Sequence, residues 1–293
     1  MHTSGRILCI HGIGQQLSGE ETLALQWRAA LRDGMRRAGA QACELPTDSD
    51  IAIVFYGDLF RGRQKAGQLE PFSVVDIDEG LEAQLIEAWH AAALEDNVRG
   101  VQPARPVLHD KGGAAPQFVQ ALARSLLSFK FFSGLTERLL VGNLKQVRSY
   151  LIQEEVRRLV TERLTRSLRE ETRCVVAHSL GSIVAYETLC KLPPGQRHTL
   201  ITLGSPLGLP NLIFDRLKPA PIKGRGVWPA AVRTWVNITD PHDIVASVKQ
   251  LQPLFGGQLQ DVTVSNEACA HDAVPYLTAE ETGRAILEAL YGT

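Results

Sequence analysis

Residues 172–192, TRCVVAHSLGSIVAYETLCKL, pass from an unbroken apolar run into a helical pattern through only four residues, His178 to Gly181. A run without polar alternation fits a strand covered on both faces, and a helix directly after it is the unit from which parallel sheets are built. The pattern recurs along the chain. RILCIHGIG ends its apolar run at Gly12 and Gly14, after which Leu23, Trp27, Ala30, Leu31, Met35 and Ala38 return at helical spacing. DIAIVFYGD (50–58), HTLITLGSPLG (198–208), AVRTWVNITD (231–240) and LQDVTVSN (259–266) read as further strands. The expected fold class is α/β, a mainly parallel central sheet with helices on both faces, and all 293 residues are read as one domain.

The alternation lapses between about 60 and 143, the expected cap or lid insertion. LEAQLIEAWHAAAL (81–94) reads as helix and VQPARPVLHDKGGAAP (101–116) as loop. In FVQALARSLLSFKFFSGLTERLL, Phe129, Phe131 and Phe132 join Leu126, Leu127 and Leu135 in an apolar stripe that either packs on its own scaffold or covers an acyl chain or membrane surface. From Leu144 a single long helix is expected through Val147, Leu151, Val156, Leu159, Leu164 and Leu168, with Glu154–Arg158 and Glu162–Arg166 as i,i+4 pairs. At the other end TAEETGRAILEALY closes as a helix, Thr278 standing as N-cap and Glu281 in the capping-box position.

Composition removes several classes of function. Lys and Arg total 31 against 32 Asp and Glu, so no bulk charge draws the chain to nucleic acid. The five cysteines are scattered without metal-ligand or disulfide-framework spacing, and no HExxH-type pattern occurs, so neither metal nor other cofactor is expected. The first residues, MHTSGRILCI, lack a signal-peptide pattern, and the expected location is cytoplasmic. Oligomeric state has no signature in the sequence.

Chemistry concentrates at the turn of the opening stretch. Ser179 has Ala177 and Gly181 two residues to either side, the small-x-Ser-x-Gly spacing that lets a serine protrude from a tight strand-to-helix turn. The amide of Leu180, at the helix N-terminus, then faces a developing oxyanion. A plain serine N-cap gives the same local sequence. A nucleophilic serine also needs a base and an orienting carboxylate, and both occur downstream at strand ends: Asp240 and Asp243 in WVNITDPHDIVAS, then His271 in SNEACAHDAVPYL.

HGIG after the first strand, AHSLG at the turn, LGSPLG after the next strand, DPHDIVAS and HDAVPYL together resemble the α/β-hydrolase fold, particularly its lipase and esterase branches with an HG-type oxyanion loop. The resemblance covers residues 6–60 and about 145–293, roughly two-thirds of the chain. It implies Ser179 as nucleophile, His271 as base and Asp243, which precedes Ile-Val, as the acid; Asp240 is the alternative acid, its plainer role being to cap the Asp-Pro turn. It further implies an oxyanion hole from the Ile13 and Leu180 amides, with Gly12 and Gly14 shaping the turn. His11 would brace that turn, His178 would pack beside Ser179, and LGSPLGL would frame the pocket. Gln15 either donates a further hydrogen bond or lines the pocket, and Gln16 has no assigned role.

The implied activity is hydrolysis of carboxylic esters, with lipid-like or hydrophobic acyl groups favoured, through an acyl-enzyme. A phospholipid is one such substrate, and transient contact with a lipid surface is compatible with it. Serine peptidase, thioesterase and acyltransferase chemistry use the same machinery. A lipid-binding or scaffold protein with a hydrolase fold is the alternative without turnover.

Overall fold

The computed structural model describes residues 5–61, 72–95, 117–128, 135–195 and 197–292. The six expected strands form one all-parallel sheet: β1 (Ile7–Ile10), β2 (Ile51–Val54), β3 (Cys174–His178), β4 (His198–Leu203), β5 (Val232–Thr239) and β6 (Leu259–Thr263), in the order β2-β1-β3-β4-β5-β6. In register, Ile7 lies between Ile51 and Cys174, and Cys9 between Ile53 and Val176.

Because side chains alternate across a strand, the register sorts the apolar runs into two cores. Ile7, Cys9, Cys174, Val176, Ile201, Leu203, Val236 and Ile238 face one side. There they meet Leu23, Trp27 and Leu31 of α1 (Glu20–Arg37), Tyr276 and Leu277 of α8 (Ala273–Thr278), and Ile286 of α9 (Glu280–Tyr291). Leu8, Ile10, Val175, Ala177, Leu200 and Trp235 face the other. This second layer holds α2 (Leu81–Glu95), α3 (Gln117–Leu126), α4 (Glu137–Ile152), α5 (Glu154–Ser167) and α6 (Leu180–Lys191), with the short α7 (Gln252–Phe255) contributing Phe255. The described parts of the 60–143 stretch therefore share a core with the sheet, through residues such as Trp89, Leu122 and Leu140. Leu126 is fully buried, and Leu127 and Leu135 pack on the same core; Phe129, Phe131 and Phe132 lie outside the described residues. Among the described residues, no helix is long and apolar enough to cross a membrane.

Two helix expectations are corrected. The helix expected from Leu144 breaks at Gln153, whose extended backbone separates α4 from α5. Glu154 consequently opens α5 and pairs with Lys218, while Arg158 takes Glu155 and Glu162 at 2.7 and 2.5 Å; the expected Glu162–Arg166 pair forms at 3.5 Å. Thr278 does not cap the C-terminal helix. The chain turns once more, ending α8 at Thr278, whose hydroxyl donates to the Pro275 carbonyl, and Ala279 takes the N-cap position of α9.

A buried ion pair ties three of these helices together. Arg157 of α5 donates to Glu187 of α6 at 2.9 Å, and Glu187 also receives the Tyr150 hydroxyl of α4 at 2.8 Å and the Lys218 amide at 3.0 Å. Burial pushes the Glu187 carboxyl up; Arg157 and these donors oppose that shift. Removing one partner of a buried pair leaves an uncompensated charge. Arg157→Leu is expected to lower unfolding free energy by about 3–5 kcal/mol in a urea titration. Arg157→Leu/Glu187→Leu should regain much of that loss; a double variant as unstable as the single would show that the charge is not the cause.

Candidate active site

The strand order reverses between β1 and β3. From β1 the chain goes outward to β2, and from β3 it proceeds the other way to β6. Loops at the carboxyl ends of the two strands at such a point splay apart, opening a crevice. His11 to Gln16 leave β1 at this crevice, and Ser179 leaves β3.

Ser179 has φ 53° and ψ −127°, a conformation outside the regions open to most L-residues. Its amide donates to the Leu203 carbonyl at 3.0 Å. Its own carbonyl accepts from the Ser182 amide at 2.9 Å and the Ser182 hydroxyl at 2.6 Å. Ser182 Oγ in turn lies 2.7 Å from Ser205 Oγ, which receives the Leu207 amide at 3.3 Å. With the Ser182 proton committed to Ser179, the Ser205 hydroxyl must donate to Ser182. The Ser179 side chain makes no capping bond to α6, so the simple N-cap alternative is not adopted.

Two glycines make the turn possible by close approach. A Cβ on Gly12 would stand 2.7 Å from the Ser179 Cβ, and one on Gly181 would stand 2.5 Å from the His11 carbonyl oxygen. The loop after β1 thus rests directly on the serine. Ala177, the fourth residue of β3, is fully buried between the sheet and its helices.

The three downstream candidates converge on Ser179 unequally. His271 Nε2 lies 2.9 Å from Ser179 Oγ, and His271 Nδ1 lies 2.8 Å from Asp243 Oδ2. Asp243 is fully buried and also accepts from the Tyr276 hydroxyl at 2.9 Å and the Val245 and Ala246 amides at 3.0 and 3.2 Å. Burial alone would raise its pKa. His271, Lys249 and the Ala246 amide outweigh that penalty and hold the carboxyl below the ordinary aspartate range.

Asp240, also buried, faces elsewhere: its oxygens accept the His242 and Asn266 amides, joining the ends of β5 and β6. It caps the turn. His178 donates from Nε2 to the His271 carbonyl at 2.8 Å, fixing the backbone that carries the imidazole. Burial, then the His271 charge, pushes the His178 pKa down to about 3, so it is neutral at pH 7.

The loop after β1 is gripped from two sides. The Tyr56 amide donates to His11 Nε2 at 3.0 Å, which leaves Nδ1 protonated to donate to the Gly12 carbonyl at 2.6 Å. Tyr56 stacks on the imidazole with centroids 4.1 Å apart, and its hydroxyl donates to the His11 carbonyl at 2.6 Å. Burial lowers the His11 pKa to about 4, so this ring braces the loop as a neutral group. In a trans peptide the C=O and N–H are antiparallel, so holding the Gly12 carbonyl also aims the Ile13 amide. Among the described residues, neither the Ile13 nor the Leu180 amide has a hydrogen-bond partner.

From the other side, Gln146 of α4 accepts the Gly14 amide at 3.2 Å and donates to Gln16 Oε1 at 2.9 Å. Gln15 turns back on its own loop and accepts the Ser18 hydroxyl at 2.7 Å. Arg61 donates to the Gln16 and Ser18 carbonyls. An apolar cleft of about 530 Å³ lies between the loops after β4 and β5, lined by Gly208, Pro210, Val248, Lys249 and Leu254 among others. Gly208 belongs to the LGSPLGL stretch expected to frame a pocket.

Ser179, His271, Asp243, Gly12, Gly181, His11 and His178 are therefore brought together, whereas Asp240 and the Gln15 side chain are engaged in turns. Sequence reading missed Tyr56, Tyr276, Gln146, Ser182 and Ser205, whose contacts span long separations or lie inside elements assigned only to packing. Comparison with protein-family models, curated proteins and solved structures finds no match to this chain.

The depressed Asp243 pKa fixes a pH dependence. Its carboxylate stabilises the native state fully above the unfolded-state value, about 3.9, and that contribution fades as pH falls through the lower native value. The gap in unfolding free energy between wild type and Asp243→Asn, of order 2 kcal/mol for charged hydrogen bonds, should be level from pH 7 to about 5 and shrink below about pH 4. Urea titrations across this range test it; a gap that instead narrows above pH 5 would contradict an ionised Asp243.

Proposed function

We propose that the chain is a serine hydrolase of the α/β-hydrolase type that cleaves carboxylic esters, with hydrophobic acyl groups preferred. The observation carrying the reading is the continuous path from Asp243 Oδ2 through His271 to Ser179 Oγ, with contacts of 2.8 and 2.9 Å. In this reading Ser179 Oγ attacks the ester carbonyl while its proton passes to His271 Nε2, and Asp243 stabilises the resulting imidazolium. The Ile13 and Leu180 amides receive the charge on the carbonyl oxygen; each such donor contributes about 3–4 kcal/mol in measured systems. The carbon–oxygen bond to the leaving group then breaks, and His271 returns the proton to the departing alcohol. Water, deprotonated by the same imidazole, releases the acid and regenerates Ser179. The preference for a hydrophobic acyl group rests on the lipase-like LGSPLGL stretch and the apolar run within 60–143; the lining of the cleft after β4 and β5 includes none of Ser179, His271 and Asp243.

Fluorophosphonate labelling and p-nitrophenyl ester turnover test the reading together. Wild type should label at Ser179 and hydrolyse the ester. Ser179→Ala and His271→Ala should lower kcat by about 10⁴-fold or more, and Asp243→Ala by about 10³- to 10⁴-fold. Asp240→Ala should cost under about tenfold, since it removes turn hydrogen bonds only. Absence of labelling in folded wild type would sink the assignment, and a larger loss in folded Asp240→Ala than in Asp243→Ala would reassign the acid.

A further inference from the structure

We infer that Gln146 on α4 is a positioning residue for the reaction proposed above: it locks the peptide between Ile13 and Gly14, so that Ile13, whose own amide lies on the preceding peptide held by His11, is anchored on both sides and keeps that amide aimed at the reacting carbonyl. The inference rests on that reading. It gives the helical segment between β2 and β3 a defined part in turnover.

The segment 12–16 contains two glycines, and Gly14 has φ 81° and is solvent-exposed, so local sequence alone does not hold one conformation. The Tyr56 hydroxyl fixes the His11–Gly12 peptide through the His11 carbonyl, and the His11 imidazole fixes the Gly12–Ile13 peptide through the Gly12 carbonyl. The next peptide is free of that grip. Its N–H, on Gly14, is taken by Gln146 Oε1 at 3.2 Å. A flipped Ile13–Gly14 peptide would turn the Ile13 carbonyl toward Gln146 Oε1, setting two acceptors against each other.

Gln146 can enforce this because its own amide is oriented. Its Nε2 donates to Gln16 Oε1 at 2.9 Å, and since the Gly14 amide is purely a donor, only one orientation of the Gln146 amide satisfies both contacts. The side chain is buried, where an unmade hydrogen bond is costly. Among the described residues of 72–152, it is the side chain that hydrogen-bonds the 12–16 segment. An amide aimed in advance acts mainly where charge develops, so its loss should appear in kcat more than in KM.

The test compares Gln146→Leu, which removes acceptor and donor, with Gln146→Glu, which keeps the acceptor for Gly14. The readouts are p-nitrophenyl ester kinetics, Ser179 labelling by a fluorophosphonate, and thermal midpoint. Gln146→Leu is expected to lower kcat and the labelling rate about 10- to 100-fold, with KM within about threefold. Gln146→Glu should recover kcat to within about fivefold of wild type at pH 8. Unchanged kcat in Gln146→Leu, or equal losses in both variants with KM and thermal midpoint falling together, would overturn the positioning role. Failure of wild type itself to label or turn over would instead sink the serine hydrolase reading, so the two failures are separable.

Discussion

Ser179 is held in a backbone conformation that costs of order 1–3 kcal/mol, and much of the surrounding architecture follows from holding it there. Its amide bond to the Leu203 carbonyl and its carbonyl bonds to the Ser182 amide and hydroxyl hold the peptides on both sides of it. Those partners come from two places, the end of β4 and the first turn of α6, and Ser205 supports Ser182 in turn. The lack of side chains at Gly12 and Gly181 is the steric counterpart: Ser179 and His178 fill the space a Cβ on Gly12 would need, and the Ile10 and His11 carbonyls fill that of a Cβ on Gly181. The strain is thus sustained by the sheet, and the hydroxyl is turned from capping α6 toward His271.

The two aspartates after β5 show how environment separates identical groups. Asp240 spends its oxygens on backbone amides that join the ends of β5 and β6. Asp243, three residues on, receives four donors, one of which is His271. Tyr276 links the pair, accepting the Asp240 amide at 2.8 Å while donating to Asp243 at 2.9 Å. Burial and the Asp243 charge both push the Tyr276 phenol upward, so it remains a donor at neutral pH. One phenol therefore joins the backbone at Asp240 to the carboxylate that faces the histidine.

The strands were legible because each is a short apolar run ended by turn residues, and a parallel sheet buried on both faces leaves little else for such runs to do. Ser179, Asp243 and His271 were legible for a related reason: loops at strand ends are where a parallel sheet exposes chemistry, and each residue follows a strand. The distinction between Asp240 and Asp243 was carried by resemblance, since composition and spacing treat both alike. Helix ends were less legible. Nothing in the periodicity from Leu144 marks the extended Gln153, because apolar residues continue on both sides of the break. Gln146 was hidden among helical core positions, for its partners Gly14 and Gln16 lie 132 and 130 residues away in the chain.

That hidden contact changes how the HGIGQQ segment is understood. Its glycines permit the bend, yet permission is not orientation, and a flexible loop would present its amides in several directions. Orientation comes from outside the segment. Tyr56, just after β2, holds the His11–Gly12 peptide and the His11 ring; that ring holds the Gly12–Ile13 peptide, and Gln146 on α4 holds the next, so consecutive peptide planes are fixed by different parts of the fold. Gln16 gains its place as the acceptor that orients the Gln146 amide, while Gln15 closes the turn through Ser18. The helical segment thus reaches the loop that rests on Ser179 through a buried side-chain amide, at the same crevice where β1 and β3 diverge.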